Sequence, residues 1–214
     1  MTKIVISLAA MLTLAVPALT HAQSPATPVT ADNFNRAESD MYFASGVKQA
    51  GGIGKFHHHR EVMNIDNQTV IRANRDTLYS TGVFDLEASA VTVTLPDPGK
   101  RFMSMLVIDE DQYAPETVYA PGTFTYTKDK VGTRYVMLGI RTFIEPGDPR
   151  DLERVHALQD AIKVDQKNAG TFEVPNWDQE SQKKCAKRLS CSPEPFPTPS
   201  ACLAREIRSI RFGT

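Results

Sequence analysis

The chain has 214 residues with 24 Lys+Arg against 25 Asp+Glu, a formal net charge of −1, and 41% of its residues are hydrophobic. That balance contains no basic stripe, so it excludes a surface built to neutralise nucleic-acid phosphates, which needs clustered Lys and Arg. Beyond its N-terminal segment, the length suits one domain with a core of its own and hardly two.

Residues 1–22 read as a secretory signal peptide. Lys3 supplies the positive charge, an apolar run follows from Ile4 to Leu19, and Thr20-His21-Ala22 places small residues at the −3 and −1 sites before Gln23. The run is short for a membrane span and contains Pro17, so the expected product is exported, periplasmic or secreted, with no stable membrane insertion after cleavage. Residues 23–30 form a polar linker. Thr30 can cap a helix over about Ala31–Gln49, whose buried stripe is predicted at Phe34, Ala37, Met41 and Ala44 or Gly46, with Gly51, Gly52 and Gly54 ending it. GGIGK lacks the spacing and the hydroxyl residue of a phosphate loop.

Strand signals dominate residues 69–145. In TVIRANRDTLYSTGVFDL, alternation places Leu78, Ser80, Gly82, Phe84 and Leu86 on one face and Tyr79, Thr81, Val83 and Asp85 on the other. VTVTL follows, then a turn at Pro96-Asp97-Pro98-Gly99. FMSMLVID is apolar enough for a strand covered on both faces. TVYAPGTFTYT is broken by Pro121-Gly122, as an edge strand or bulge would be, and RYVMLGIRTFIE is the longest candidate. With Gly-, Pro- and Asp-rich turns and no helical pattern between these runs, the arrangement predicts an antiparallel sheet or sandwich rather than βαβ units. A helix from near Asp151 carries a stripe of Leu152, Val155, Leu158 and Ile162, and a third begins near Trp177 with Asn176 as its cap. The fold class expected is α+β, a β-rich domain over 31–184 with an N-terminal helix and C-terminal helices.

From Cys185 the character changes. The tail 185–214 contains all three cysteines and the run Pro193, Pro195, Pro197 and Pro199, and it is expected to be disordered. The residues before it, 23–184, balance to −5 and the tail to +3.

Three groups could carry chemistry. Asn74, Arg75 and Asp76, with Tyr79, offer a guanidinium fork for a carboxylate or phosphate, or else an Arg–Asp pair holding a turn. Asp109, Glu110 and Asp111, followed by Tyr113, could bind a hard cation, supply a general acid or base, or form a solvated turn. His57 and His59 are weak metal candidates, because successive side chains in an extended segment point to opposite faces. No cofactor is indicated by any motif: HExxH, CxxC and GxSxG are absent.

VTADNFNRAESDMYF, TVIRANRDTLYSTGVFDL, VTVTLPDPGKRFMSMLVIDEDQY, GTRYVMLGIRT and DLERVHALQDAIKV together resemble a bacterial family known as domain of unknown function 1254. The resemblance implies a β-rich α+β first domain and, in intact relatives, a jelly-roll-like C-terminal partner domain of unknown function 1214; it brings no catalytic residues with it. It also gives the tail a reading. Codons for Phe196 to Ala204 can be chosen so that a one-base shift spells LPDSKRMFG, similar to the family's continuation. The expectation is a frameshift near codon 185 and a lost second domain, which leaves a ligand-binding or structural module with no intact activity and no further partner beyond a possible homo-oligomer. The alternative is the remnant of a hydrolase that used the NRDTLY and DED groups.

Overall fold

The computed structural model of the chain describes residues 25–64, 74–145, 147, 148 and 150–190. The signal-peptide reading of 1–22, the strand signal at 69–73 and the tail from 191 onward, with its proline run, lie outside the described residues.

The expected α+β class is what the fold has. Helix α1 (Phe34–Ala50) leads into strand β1 (Phe56–His58), β2 (Thr77–Asp85), β3 (Val91–Leu95), β4 (Met103–Asp109), β5 (Glu116–Tyr119), β6 (Gly122–Tyr126), the short α2 (Lys128–Val131), β7 (Tyr135–Phe143), α3 (Asp151–Asp160), β8 (Lys163–Gln166) and α4 (Gln179–Ser190). Two antiparallel sheets result, one ordered β1-β2-β7-β4-β5 and one ordered β6-β3-β8.

The two sheets bury one core between them. Phe84 from β2, Met105 and Val107 from β4 and Leu138 and Ile140 from β7 meet Val91, Val93 and Leu95 from β3 and Tyr126 from β6. Alternation produces this directly. Along β3 every second residue is buried, so the strand presents Val-Val-Leu to the core and its two threonines outward. Those threonines pair with Thr125 and Thr123 across to β6, at 2.9 and 3.0 Å. The chain steps repeatedly from one sheet to the other. The predicted interruption at Pro121-Gly122 is one such step: it separates β5, at the edge of the larger sheet, from β6 in the smaller, through a cis Ala120–Pro121 peptide.

Helix α1 covers the opposite face of the larger sheet. Phe43 packs against Val83 and Tyr135, with Val47 and Phe172 closing round them. The buried stripe differs from the one expected. It runs through Ala37, Asp40, Phe43 and Gly46, while Met41 is 47% exposed. Ala37 and Gly46 are buried as expected; the difference lies between them, where Ser39 and Asp40 face inward and a reading that assigns polar residues to solvent takes Met41 instead. Gly46 sits against the sheet: a β-carbon there would be in van der Waals contact with Met137 and Val83, both at 3.4 Å. Gly51, at φ 70°, ends the helix in the left-handed conformation, as the glycine cluster implied. Thr30 does not cap α1. Its N–H donates to Asn33 Oδ1 at 2.8 Å, and Asn33 occupies the cap position.

At the other end of the larger sheet, α3 seals Leu78 and Ile144 with Val155, Leu152 packing alongside. Its anchor is electrostatic. Asp151, buried at the first turn, accepts both terminal nitrogens of Arg101, one of them at 2.7 Å, and the N–H of Glu145 at 2.7 Å. Hydrogen bonding from Arg101 holds the Asp151 carboxyl at about 2, below its ordinary 3.8, against the opposing effect of burial. Asn176 does not cap α4. Asp178 does, accepting the N–H groups of Glu180 and Ser181, and the helix continues through Cys185.

Two outcomes test this architecture. Phe43→Ala should lower unfolding free energy by about 3–4 kcal/mol through the cavity left under α1, measured by urea denaturation. Asp151→Asn should lower it by about 2–3 kcal/mol at pH 7, because Arg101 loses its charged acceptor. A carboxyl with a depressed pKa stabilises the fold above its unfolded value, and that stability is lost as pH falls through the folded value. The wild type should therefore lose stability between about pH 4 and pH 2 relative to the Asn variant.

Candidate functional site

Asn74, Arg75 and Asp76 lie immediately before β2 and are exposed. Asp76 is held in place by the sheet, since its carbonyl accepts the N–H of Ile144 at 2.8 Å and extends the β2–β7 ladder by one step. Asn74 Oδ1 accepts the Asp76 N–H at 3.3 Å, a local turn that side chains of this type favour. Arg75 Nε donates to the Met63 carbonyl at 3.1 Å. The three residues form one wall of an open cleft of about 590 Å³. Ile144, Glu145, Asp148 and Leu152 form the facing wall, where the β7 exit leads into α3. Asp148 is engaged there by Arg154, at 3.1 Å. The cleft therefore sets a guanidinium and an amide among the carboxylates of Asp76, Glu145 and Asp148, with Val62, Ile144 and Leu152 as its apolar part.

Tyr79 stands apart from that wall. It is half-buried in β2, and the Arg141 guanidinium lies 5.6 Å from its ring centroid. Its carbonyl accepts from His59 N–H and from Gln159 Nε2.

Asp109, Glu110 and Asp111 sit at the far end of the sheet. Asp76 precedes Thr77, which is opposite Phe143, whereas Asp109 is opposite Val136, so the two groups are about 25 Å apart along β7. Asp109 Oδ1 accepts the N–H groups of Asp111 and Tyr113, both at 2.9 Å, and closes a tight turn in which Gln112 adopts φ 66°. Glu110, 5% exposed, accepts the Tyr135 N–H at 2.8 Å and Arg36 Nη1 at 3.0 Å. Arg36 also reaches Asp111 at 2.6 Å. The acidic run thus ties α1 to the ends of β4 and β7. Tyr113 projects from the turn, 71% exposed.

His57 and His59 share one side of their segment, with ring centroids 4.6 Å apart, edge to face. His58 faces the other way, its Nδ1 2.8 Å from Ser80 Oγ. Burial lowers the pKa of His58 and of His59. Among the described residues no group of three or more His, Cys, Asp or Glu side chains is placed to hold a metal ion.

A second cleft, of about 450 Å³, lies between α1 and α4, with Ala37, Asp40, Met41, Trp177 and Gln182 among its walls. Sequence reasoning missed it. Asp40 is 2% exposed, and its Oδ2 accepts Trp177 Nε1 at 2.7 Å. Burial raises its pKa, against the Trp177 hydrogen bond, and the Glu110 charge adds to the rise. The signal was available: Asp40 lies three residues from Ala37 and three from Phe43, in phase with the buried stripe.

Comparison with known proteins agrees with the architecture. The family model described as "Protein of unknown function (DUF1254)" matches residues 53–123. No curated protein matches. Among solved structures the chain is similar to the VPA0106 protein from Vibrio parahaemolyticus, with a TM-score of 0.50 and 16% sequence identity over 78% of this chain, a likeness of fold. The shared part is 41% of that protein's chain, so this chain spans less than half the length of its structural neighbour. The matched segment begins just after α1 and ends in the first residues of β6, and it contains the NRDTLY and DED groups, so the match to the DUF1254 model falls on part of the stretch whose motifs resemble that family.

Proposed function

We propose that the chain is an exported ligand-binding module, with its ligand seated in the cleft beside Arg75. The observation that carries this reading is the convergence of Asn74, Arg75 and Asp76 with Glu145 and Asp148 on one open cleft, fixed by the ladder bond from Ile144. A rigid sheet end that presents polar side chains around a depression is a common way to build a small-molecule site. The separation of the NRD and DED groups favours binding over hydrolysis, because acid and base must lie within hydrogen-bond reach of the same reacting atoms. Export rests on the N-terminal segment, and among the described residues no helix is long and apolar enough to cross a membrane. The reading includes a second domain in relatives, and the structurally similar Vibrio protein is the longer chain, with 41% of it covered.

Screening the full mature chain by thermal shift against small carboxylates and phosphate esters should identify at least one that raises the melting temperature by several degrees. Arg75→Ala should abolish that rise while leaving the unliganded melting temperature within about 1 °C, since exposed substitutions of this kind cost little. No stabilisation by any member would return the three residues to a structural role. Protein recovered from the periplasm should begin at Gln23, read by N-terminal sequencing.

A further inference from the structure

The cleft between α1 and α4 is separate from the one beside Arg75 and has a different chemistry. Asp40, 2% exposed, is one of its lining residues. One carboxyl oxygen, Oδ2, is held by the indole N–H of Trp177, whereas Oδ1 is buried and has no hydrogen-bond partner among the described residues. A buried carboxyl oxygen without a donor is costly, and neither protonation state removes the deficit, because a protonated carboxyl would need an acceptor instead. Nearby cations do not serve it. Arg36 is committed to Glu110 and Asp111, and Lys183, which lines the outer part of the cleft, lies 3.8 Å from Glu180 and is largely exposed. Glu38, also in the wall, is held by Gln182 at 2.7 Å and adds negative charge rather than a donor. Ala37, Met41, Ala44, Val174 and Pro175 make the apolar part of the wall, and Asn176 and Gln179 add polar groups to it.

We infer that this cleft is a binding site for a small organic cation, an ammonium group on an apolar or aromatic body, with Asp40 as its counter-ion and Trp177 and Met41 as its wall. The ammonium supplies the donor that Oδ1 lacks, and the apolar body covers the alanine and methionine surface. The Trp177 N–H holds the carboxyl in one orientation. Nothing in this reading depends on the Arg75 cleft.

Trp177 is the only tryptophan of the chain, so its fluorescence reports on this cleft alone. The full mature chain is titrated with 2-phenylethylammonium and, in parallel, with neutral 2-phenylethanol and anionic 3-phenylpropionate. The ammonium should give a saturable change, with the alcohol and the acid at least tenfold weaker. Asp40→Asn should remove that preference, and Ala44→Leu, which fills the apolar wall, should weaken the ammonium at least tenfold with an unchanged circular dichroism spectrum. Arg75→Ala should leave the titration unaltered. The inference is overturned by equal affinity for the three probes, by no saturable response to the ammonium, or by a response that Ala44→Leu does not change. If Asp40→Asn does not fold, the probe series and Ala44→Leu decide the matter on their own.

Discussion

Burial of β7 from both sides is the constraint on which the rest of the molecule depends. Val136, Leu138 and Ile140 enter the core shared with the three-stranded sheet, while Tyr135 and Met137 meet α1 on the other face. β7 also bonds to β2 and β4 along nearly its whole length. With one face in the core, the other covered at Tyr135 and Met137, and both edges bonded, its two ends become fixed reference points. One carries the Arg101–Asp151 anchor and the cleft beside Arg75; the other carries the Glu110 clamp on α1. Side chains at either end are therefore attached to an element that has little freedom to shift.

Charge serves two purposes in this arrangement. Asp151, Asp85 and Glu110 are buried carboxylates, each with its own arginine: Arg101, Arg134 and Arg36. Asp85 illustrates the balance. Burial pushes its pKa up, but hydrogen bonds from Arg134 and from the backbone N–H groups of Glu87 and Ala88 outweigh that and leave it lowered. Asp40 is the contrast, with only a neutral indole donor, so burial prevails and its pKa is raised. Paired acids join elements to one another; Asp40 is held by the Trp177 indole instead.

Much of the β framework could be read in the chain. The alternations in β2 and β3, the glycine end of α1 and the break at Pro121-Gly122 each report a local preference that the fold keeps. Three elements were not legible. β1 and β8 have three and four residues, too short for a period to register, and both are strands because a neighbour offers them a ladder. α2 is a single capped turn. The middle of the α1 stripe, between Ala37 and Gly46, was misplaced for a different reason: Asp40 and Ser39 are inward, and polarity alone reads them as outward.

The candidate sites divide along the same line. That Asn74, Arg75, Asp76 and the DED run are chemically capable groups was determined by residue type alone, as was the β-rich class, because period-2 alternation and turn chemistry are local properties. Only the tertiary structure decided that the two groups lie at opposite ends of one sheet, that Glu110 is a buried clamp, and that Asp40 and Trp177, 137 residues apart in the chain, share a hydrogen bond. Long-range register and burial set those outcomes, and neither is encoded in any single window of sequence.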